Sequence, residues 1–118
     1  MSTIKTNLDI EKIGTTLVLS YEKSQGRVPI QSKTKGCGWD LCTGNEHEKR
    51  YIEIKTTRSK KLTGRWLEHK GYEQFLNNPN FWVYGVTEIK EDGTGKVKTY
   101  SPKKIVVTED IKYVLKLD

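Results

Sequence analysis

Apolar residues near the start of the chain recur at the spacing of one helix face. The positions are Ile10, Ile13, Leu17 and Tyr21. This spacing predicts a helix over 7–25. We expect Asn7 or Asp9 to cap its start and Gly26 to end it.

A polar segment around Pro29 and a β-hairpin follow this helix. Val28 and Ile30 indicate a short extended piece before the hairpin. Residues 36–57 then predict two short strands joined by a polar turn, which we place at Gly44-Asn45.

The returning strand of this hairpin, Arg50–Thr57, has two different faces, because side chains alternate sides along a strand. One face carries Ile52, Ile54 and Thr56, and the other carries Tyr51, Glu53 and Lys55. Glu53 and Lys55 therefore project side by side, about 6–7 Å apart along the strand.

The second half of the chain predicts a helix, a buried strand and a hairpin. Apolar residues from Trp66 to Leu76 predict the helix, either interrupted or started late near Gly71, and Asn-Asn-Pro-Asn at 77–80 stops it. Residues 81–87 are apolar on both faces, as in a strand inside a sheet, and a Gly-rich turn follows at 92–95.

The last residues allow two interpretations. Ser101-Pro102 is typical of a cap and the first turn of a short helix. Beyond it, 105–107 favour a strand, whereas Ile111, Val114 and Leu115 fit a helical face. We predict a short C-terminal helix.

The predicted elements form one domain over 1–118, of the α/β (α+β) class. Their order is α-β-β-β-α-β-β with a short C-terminal helix, which indicates a mixed central β-sheet flanked by helices. A chain of 118 residues can bury a core without disulfides or metals.

The net charge of the chain indicates which class of partner it could bind. There are 21 Lys and Arg against 15 Asp and Glu, giving a net charge of +6. Such a surface favours polyanions, nucleic acid first and acidic membrane second, and the alternative is an ordinary basic soluble protein.

No segment resembles a signal peptide or a membrane span, so we expect a cytoplasmic protein. Cys37 and Cys42 fit a reducing compartment. They lack the second pair of Cys or His residues that a structural zinc site needs, and we predict none.

Asp40, Glu53 and Lys55 are the residues with the clearest chemical potential. Two carboxylates can hold a hard divalent cation, and an adjacent lysine can orient water and stabilise negative charge during phosphodiester hydrolysis. The alternative is a cross-strand salt bridge on a solvated face of the sheet.

Gly-Trp-Asp-Leu at 38–41, a turn, and Arg-Tyr-Ile-Glu-Ile-Lys-Thr at 50–56 resemble the core motif of the PD-(D/E)xK, or restriction-endonuclease-like, nuclease superfamily. Within it, the chain is most similar to the C-terminal domain family named after the protein NO VEIN. The resemblance covers about 9–104 and implies a restriction-endonuclease-like core and a DNA-cleaving enzyme.

The resemblance assigns roles to this motif. It implies that Asp40, Glu53 and the carbonyl of Ile54 bind Mg²⁺ or Mn²⁺, and that Lys55 is the catalytic lysine. Many relatives place a Glu after a glycine on the first helix, but Thr15 follows Gly14 here.

Three other residues are candidates for a further ligand: Glu11, Glu22 and Gln74. Glu11 and Glu22 lie at one edge of the apolar helix face, where solvation is the simpler interpretation. Gln74 matches a Gln that some branches of the superfamily place on the helix after the lysine strand.

Basic residues near the motif are candidate contacts to a nucleic-acid backbone: Lys33, Lys35, Arg58, Lys60, Lys61 and Arg65. Trp39, Trp66 and Tyr72 are candidates for stacking on bases. The resemblance implies DNA as substrate, leaves RNA open, and raises a homodimer, because two strands need two sites.

Two alternatives to a nuclease stay open. One is a nucleic-acid-binding module of the same fold without catalysis. The other is a protein-interaction domain whose charges serve only solubility, which predicts no binding of nucleic acid even at low salt.

Overall fold

The first helix, α1 (Asn7–Ser24), lies where the apolar spacing predicts it, in a computed structural model that describes residues 6–109 and 112–117. The predicted caps Asn7 and Asp9 are wrong. The cap is Thr6, whose hydroxyl oxygen accepts a hydrogen bond from the Asp9 N–H at 3.1 Å, because its backbone is still extended at φ −137° and ψ 161°. Gly26, at φ +79°, follows the helix end as predicted.

The remaining elements of the described chain are, in order, β1 (Val28–Gln31), β2 (Leu41–Gly44), β3 (Lys49–Thr56), β4 (Trp66–Leu67), α2 (His69–Asn77), β5 (Phe81–Thr87), β6 (Lys96–Tyr100), β7 (Val107–Glu109) and β8 (Tyr113–Leu115). A single 3-10 turn, Pro102–Lys104, separates β6 from β7. Within the described ranges, no helix is long and apolar enough to cross a membrane.

Five strands form the central sheet in the order β1-β2-β3-β5-β6. β3 and β5 run parallel, and the other neighbours are antiparallel. Helix α1, these five strands and α2 follow the predicted order, and the mixed α+β fold class is confirmed.

The pairing within this sheet leaves part of β3 uncovered. β2 begins at Leu41, opposite Ile52, whereas β5 accompanies β3 as far as Thr56. Residues 53–56 therefore have no β2 partner. We call this stretch the open edge of β3.

A second sheet, in the order β4-β8-β7, was not predicted. Trp66 and Leu67 were expected in the second helix, but they pair with β8. The predicted C-terminal helix is also wrong beyond its first turn: Val114 and Leu115 lie in β8, and Ile111 lies outside the described residues. Pairing on both edges of β8 outweighs the helical spacing, because the strand also buries its last residue.

The two faces of the central sheet bury separate apolar clusters. Val18 of α1 packs with four residues on one face: Ile52, Tyr84, Val86 and Ile89. The other face carries a larger cluster under α2 and the second sheet, which includes Trp39, Cys42, Phe81, Val83 and Leu115. The alternation predicted for β3 is confirmed, since Ile52 and Tyr51 join different clusters.

Helix α1 passes directly over the end of β3. A Cβ built on Gly14 would lie 2.2 Å from Cγ2 of Thr56, a distance that no side chain tolerates. A glycine is therefore required at this crossing. The crossing brings the first turns of α1 beside the open edge of β3.

Glu22, near the other end of α1, belongs to a buried network. Its carboxylate accepts hydrogen bonds from Nε and Nη2 of Arg27 at 2.8 Å, from the Thr43 hydroxyl at 2.6 Å and from the Tyr84 hydroxyl at 2.7 Å. Burial alone would raise the pKa of Glu22, but these hydrogen bonds outweigh it and lower that pKa. Solvation of Glu22 is therefore a wrong interpretation.

We expect Glu22→Gln to lower the free energy of unfolding by about 3 kcal/mol, because the buried Arg27 guanidinium loses its compensating charge. The matched control is Glu48→Gln, which removes the other, half-exposed partner of Arg27 and should cost less than about 1 kcal/mol. Urea unfolding of the three proteins measures both values. Equal losses would contradict the assignment of Glu22 as the structural partner.

Candidate active site

Asp40 takes the place of a strand residue beside β3. Its N–H donates to the carbonyl of Ile52 at 2.8 Å, and its Oδ2 accepts a hydrogen bond from the N–H of Ile54 at 2.7 Å. The N–H and C=O of one strand residue point to the same side, so the Ile54 carbonyl also faces the open edge. Asp40 and this carbonyl are thus held next to each other by the main chain of β3.

Glu53 and Lys55 share a face of β3, as predicted from the alternation. Nζ of Lys55 lies 2.9 Å from Oε2 of Glu53, and the two side chains are only 17% and 16% exposed. An ion pair therefore exists here, but it lies within β3 and is not the cross-strand salt bridge considered from the sequence. It is not on a solvated face, because both partners are largely withdrawn from water.

The electrostatic surroundings of Glu53 do not satisfy its charge. Burial and the neighbouring Asp40 carboxylate raise the pKa of Glu53 to about 7, although Lys55 acts in the opposite direction. Near neutral pH the carboxyl is divided between its protonated and charged forms. A strongly shifted acid with a specific charged neighbour, placed in a cavity, is typical of functional sites.

The cavity that contains these groups has a volume of about 380 Å³, and we call it the main cavity. Besides the aromatic candidate Trp39, it brings together seven of the predicted ligand, catalytic and basic residues: Glu11, Lys33, Lys35, Asp40, Glu53, Ile54 and Lys55. Lys33 reaches to 3.9 Å from Oδ1 of Asp40. Glu11 is therefore the acid that α1 contributes at this end of the site.

The loop that carries Asp40 packs tightly on the start of α2. A Cβ on Gly38 would lie 2.4 Å from the carbonyl oxygen of Lys70, and Gly38 has φ +84°. Both features require glycine. The loop cannot move away from α2 without losing this contact, so it fixes Trp39 and Asp40 relative to the helix.

Two candidate ligands lie elsewhere. Glu22 is bound in its network with Arg27 and does not line the main cavity, so its proposed approach to the site is wrong. Gln74 also does not line it, because its Oε1 accepts a hydrogen bond from the Asn78 side chain at 2.8 Å.

The three aromatic candidates differ in accessibility. Trp39 is buried, and its ring packs edge-on against Tyr51 at 5.3 Å, so the prediction that it stacks on bases is wrong. Tyr72 is stacked on Tyr113 at 3.8 Å between ring centres. Trp66 is exposed and carries the ammonium of Lys112 over its ring.

A second cavity of about 460 Å³ adjoins the main one, and we call it the arginine cavity. Glu11, Ile54 and Lys55 line both cavities. Arg58 and Arg65 line only the arginine cavity. Lys60 and Lys61, predicted to act with them, are exposed and line neither cavity.

Sequence reasoning missed two charged residues of the main cavity, Glu68 and Lys70. They come from the start of α2, whose first residue the apolar pattern left open between Trp66 and Gly71. With the helix start at His69, Glu68 becomes the residue before the first turn. No motif marks either residue, and only a correct helix boundary could have found them.

The residues of the main cavity fit a magnesium-like ion. Mg²⁺ is commonly held by one or two carboxylates and completes its shell with water and substrate phosphate. Asp40, Glu53 and the Ile54 carbonyl supply such a set, and burial together with the Asp40 carboxylate raises the pKa of Glu53, a disfavoured charge that a cation would stabilise. In the described ranges, no three His, Cys, Asp or Glu side chains form a group that could hold a metal ion. The Ile54 carbonyl, water and phosphate would therefore complete the shell.

Comparison with known proteins connects this site to a family. Neither the search of curated proteins nor the search of solved structures found a match. A family model described as "Protein NO VEIN, C-terminal" matches residues 10–100, which include the central sheet and every residue of the main cavity. The chain therefore belongs to the NO VEIN C-terminal family.

Proposed function

We propose that this chain is a metal-dependent endonuclease that hydrolyses the phosphodiester backbone of DNA. The observation that carries the proposal is the convergence of Asp40, Glu53 and Lys55 on one cavity at the open edge of β3. The shifted pKa of Glu53 supports it, because strongly shifted acids with a specific charged neighbour in a cavity cluster at functional sites.

Each of these residues has a defined task in the proposal. Asp40, Glu53 and the Ile54 carbonyl would hold Mg²⁺ or Mn²⁺, which supplies an acidified water and polarises the phosphate. Lys55 orients the attacking water and stabilises the charge that develops on the phosphate oxygens. Asp40 is suited to a fixed role because two main-chain hydrogen bonds hold it.

Charge supports DNA as the substrate. The chain carries +6, and Lys33, Lys35 and Lys70 lie around the carboxylates in the main cavity. A polyanion can therefore approach the acidic centre across a basic rim. RNA as a substrate and a homodimer stay predictions of the resemblance.

A DNA-binding module without catalysis is the second candidate. The 2.9 Å ion pair between Lys55 and Glu53 favours it, because each group already neutralises the other. This candidate requires the basic cavities and does not require a metal. The two candidates differ in what loss of Lys55 or Asp40 does to cleavage.

We expect Asp40→Asn, Glu53→Gln and Lys55→Met each to lower Mg²⁺- or Mn²⁺-dependent cleavage of plasmid and branched DNA by at least about 100-fold, since each removes a metal ligand or the group that acts on the water. Glu46→Gln, an exposed acid in the turn before β3, is the matched control. Initial rates of nicking measure the effect.

Three results would count against a nuclease. Intact duplex, single-stranded and branched DNA with either metal would contradict it directly. Equal activity in the Lys55→Met protein would show a contaminant. Salt-sensitive DNA binding that needs no metal, combined with no cleavage, would favour the second candidate.

We expect the metal-free protein to lose stability relative to Glu53→Gln as the pH rises. The folded-state pKa of Glu53, about 7, lies above the ordinary value of 4.5. The contribution of this carboxyl is therefore fully present below pH 4.5 and is lost as the pH rises through 7, by up to about 3 kcal/mol. Urea unfolding of both proteins between pH 5 and pH 8 measures the difference, and a constant difference would contradict the assignment.

We expect Mn²⁺ to raise the melting temperature of the protein at pH 8 by several degrees, because an ion that binds only the folded state stabilises it. The shift should be smaller at pH 6, where protons compete for Glu53. Asp40→Asn and Glu53→Gln should abolish it, and Glu46→Gln should retain it. A shift that persists in both site variants would place the metal elsewhere.

A further inference from the structure

Arg65 is a cation held in place without a carboxylate partner. Its Nη2 donates a hydrogen bond to the carbonyl of Thr56 at 2.7 Å, and the side chain is half-buried. In the part of the chain that the structure describes, no acidic side chain pairs with it. A half-buried guanidinium with free donors is unusual, because partial burial weakens its hydration.

The Thr56 carbonyl, which accepts the hydrogen bond from Arg65, lies on the same edge of β3 as Asp40. Alternate strand residues direct their N–H and C=O groups to one side, so Thr56 faces the open edge as Ile54 does. Two residues of strand separate these carbonyls by about 7 Å. The phosphates of a nucleic-acid strand advance by about 3.4 Å along its axis and also wind around it, so neighbouring phosphates lie further apart in space than this rise. A spacing of this size therefore suits adjacent phosphates.

The charges around Arg65 favour an anion. Arg58 and Lys55 also line the arginine cavity, and Glu11 is the acid in its lining. Lys55 is already paired with Glu53, so the two arginines supply the positive charge that remains beside Glu11. Arg58 is exposed and has no hydrogen bond or ion pair among the described residues, so its guanidinium is available to a ligand.

We propose that the arginine cavity binds the phosphate group next to the one that is hydrolysed, with Arg65 as the principal contact and Arg58 as the second. The inference rests on the proposed function, because it takes the main cavity as the place of the reacting phosphate. Arg65 suits this task because its planar guanidinium has several N–H donors. Some can donate to phosphate oxygens while Nη2 keeps its hydrogen bond to the Thr56 carbonyl.

The proposal separates the four cations of the loop after β3. Arg58 and Arg65 contact the substrate, whereas Lys60 and Lys61 add only general positive charge, since they line neither cavity. It also makes a strand with at least two phosphates a better substrate than a diester with one.

The first experiment measures binding of a short fluorescent single-stranded DNA to the full chain by anisotropy, in EDTA so that no cleavage occurs. Arg65→Gln should weaken binding about tenfold or more, because it removes charged hydrogen bonds to a phosphate. It should also reduce the slope of log affinity against log salt by about one. Lys61→Gln, which makes the same charge change, should weaken binding less than about twofold.

Equal weakening by Arg65→Gln and Lys61→Gln would overturn the proposal, as would unchanged binding in Arg65→Gln. Because Arg65 contacts the backbone of β3, its variant is checked for folding by thermal unfolding. Arg58→Gln removes no contact of the folded chain, so it decides the matter if Arg65→Gln is unfolded. It should weaken binding more than Lys61→Gln, and an equal or smaller effect would overturn the proposal.

The second experiment compares hydrolysis of a short DNA strand with that of bis(p-nitrophenyl) phosphate, which has one phosphate. In Arg65→Gln the ratio of the two kcat/KM values, DNA over the simple diester, should fall about tenfold. An unchanged ratio would overturn the proposal. If the unmodified protein hydrolyses neither compound, the proposed function fails and the binding comparison alone decides whether the phosphate site exists.

Discussion

The two hydrogen bonds between Asp40 and β3 organise the site. The Asp40 N–H continues the pairing of β2 with β3 by one position, and its carboxylate then takes the N–H of Ile54 that a longer β2 would have taken. A side chain thus ends the strand pairing without leaving a buried donor unpaired. The same contact directs the Ile54 carbonyl toward the main cavity. It also holds the Asp40 carboxylate close to the Glu53 carboxylate. Gly38 makes it possible, because only glycine allows the preceding loop to lie this close to α2.

This arrangement disfavours the charged form of Glu53. The rigid Asp40 carboxylate and the low exposure of the site both favour the protonated form of Glu53, and Lys55 compensates only in part. A divalent cation between the two acids would favour the charged form, since it interacts with both charged carboxylates at once. The chemistry proposed for the site and the instability of its charges therefore have the same origin.

Local patterns predicted the parts of the molecule that depend on local geometry. The alternation along β3 placed Glu53 and Lys55 side by side, and the apolar spacing placed α1. The errors concern features that depend on distant partners. Trp66 and Leu67 pair with β8, whose own sequence also fits a helix, and no local signal reveals a pairing across so long a separation. Trp39 looks like an exposed aromatic near a motif until the second cluster covers it.

The candidate acids on α1 show the same division. Both lie at one edge of the apolar face, so spacing alone treats Glu11 and Glu22 alike. The fold separates them: the carboxylate of Glu22 accepts four hydrogen bonds in the core, whereas Glu11 lines the main cavity.

The contrast between the buried acids Glu22 and Glu53 carries the argument for function furthest. Both are paired with a cation and withdrawn from water, yet the pKa of Glu22 is lowered and that of Glu53 is raised. The difference lies in the neighbours: Arg27, Thr43 and Tyr84 all donate to Glu22, while Glu53 has one lysine and a second carboxylate. The fold supplies donors in full where a buried carboxylate serves stability. At Glu53 it supplies a competing acid instead, and the proposed binding of a cation would relieve this unfavourable contact.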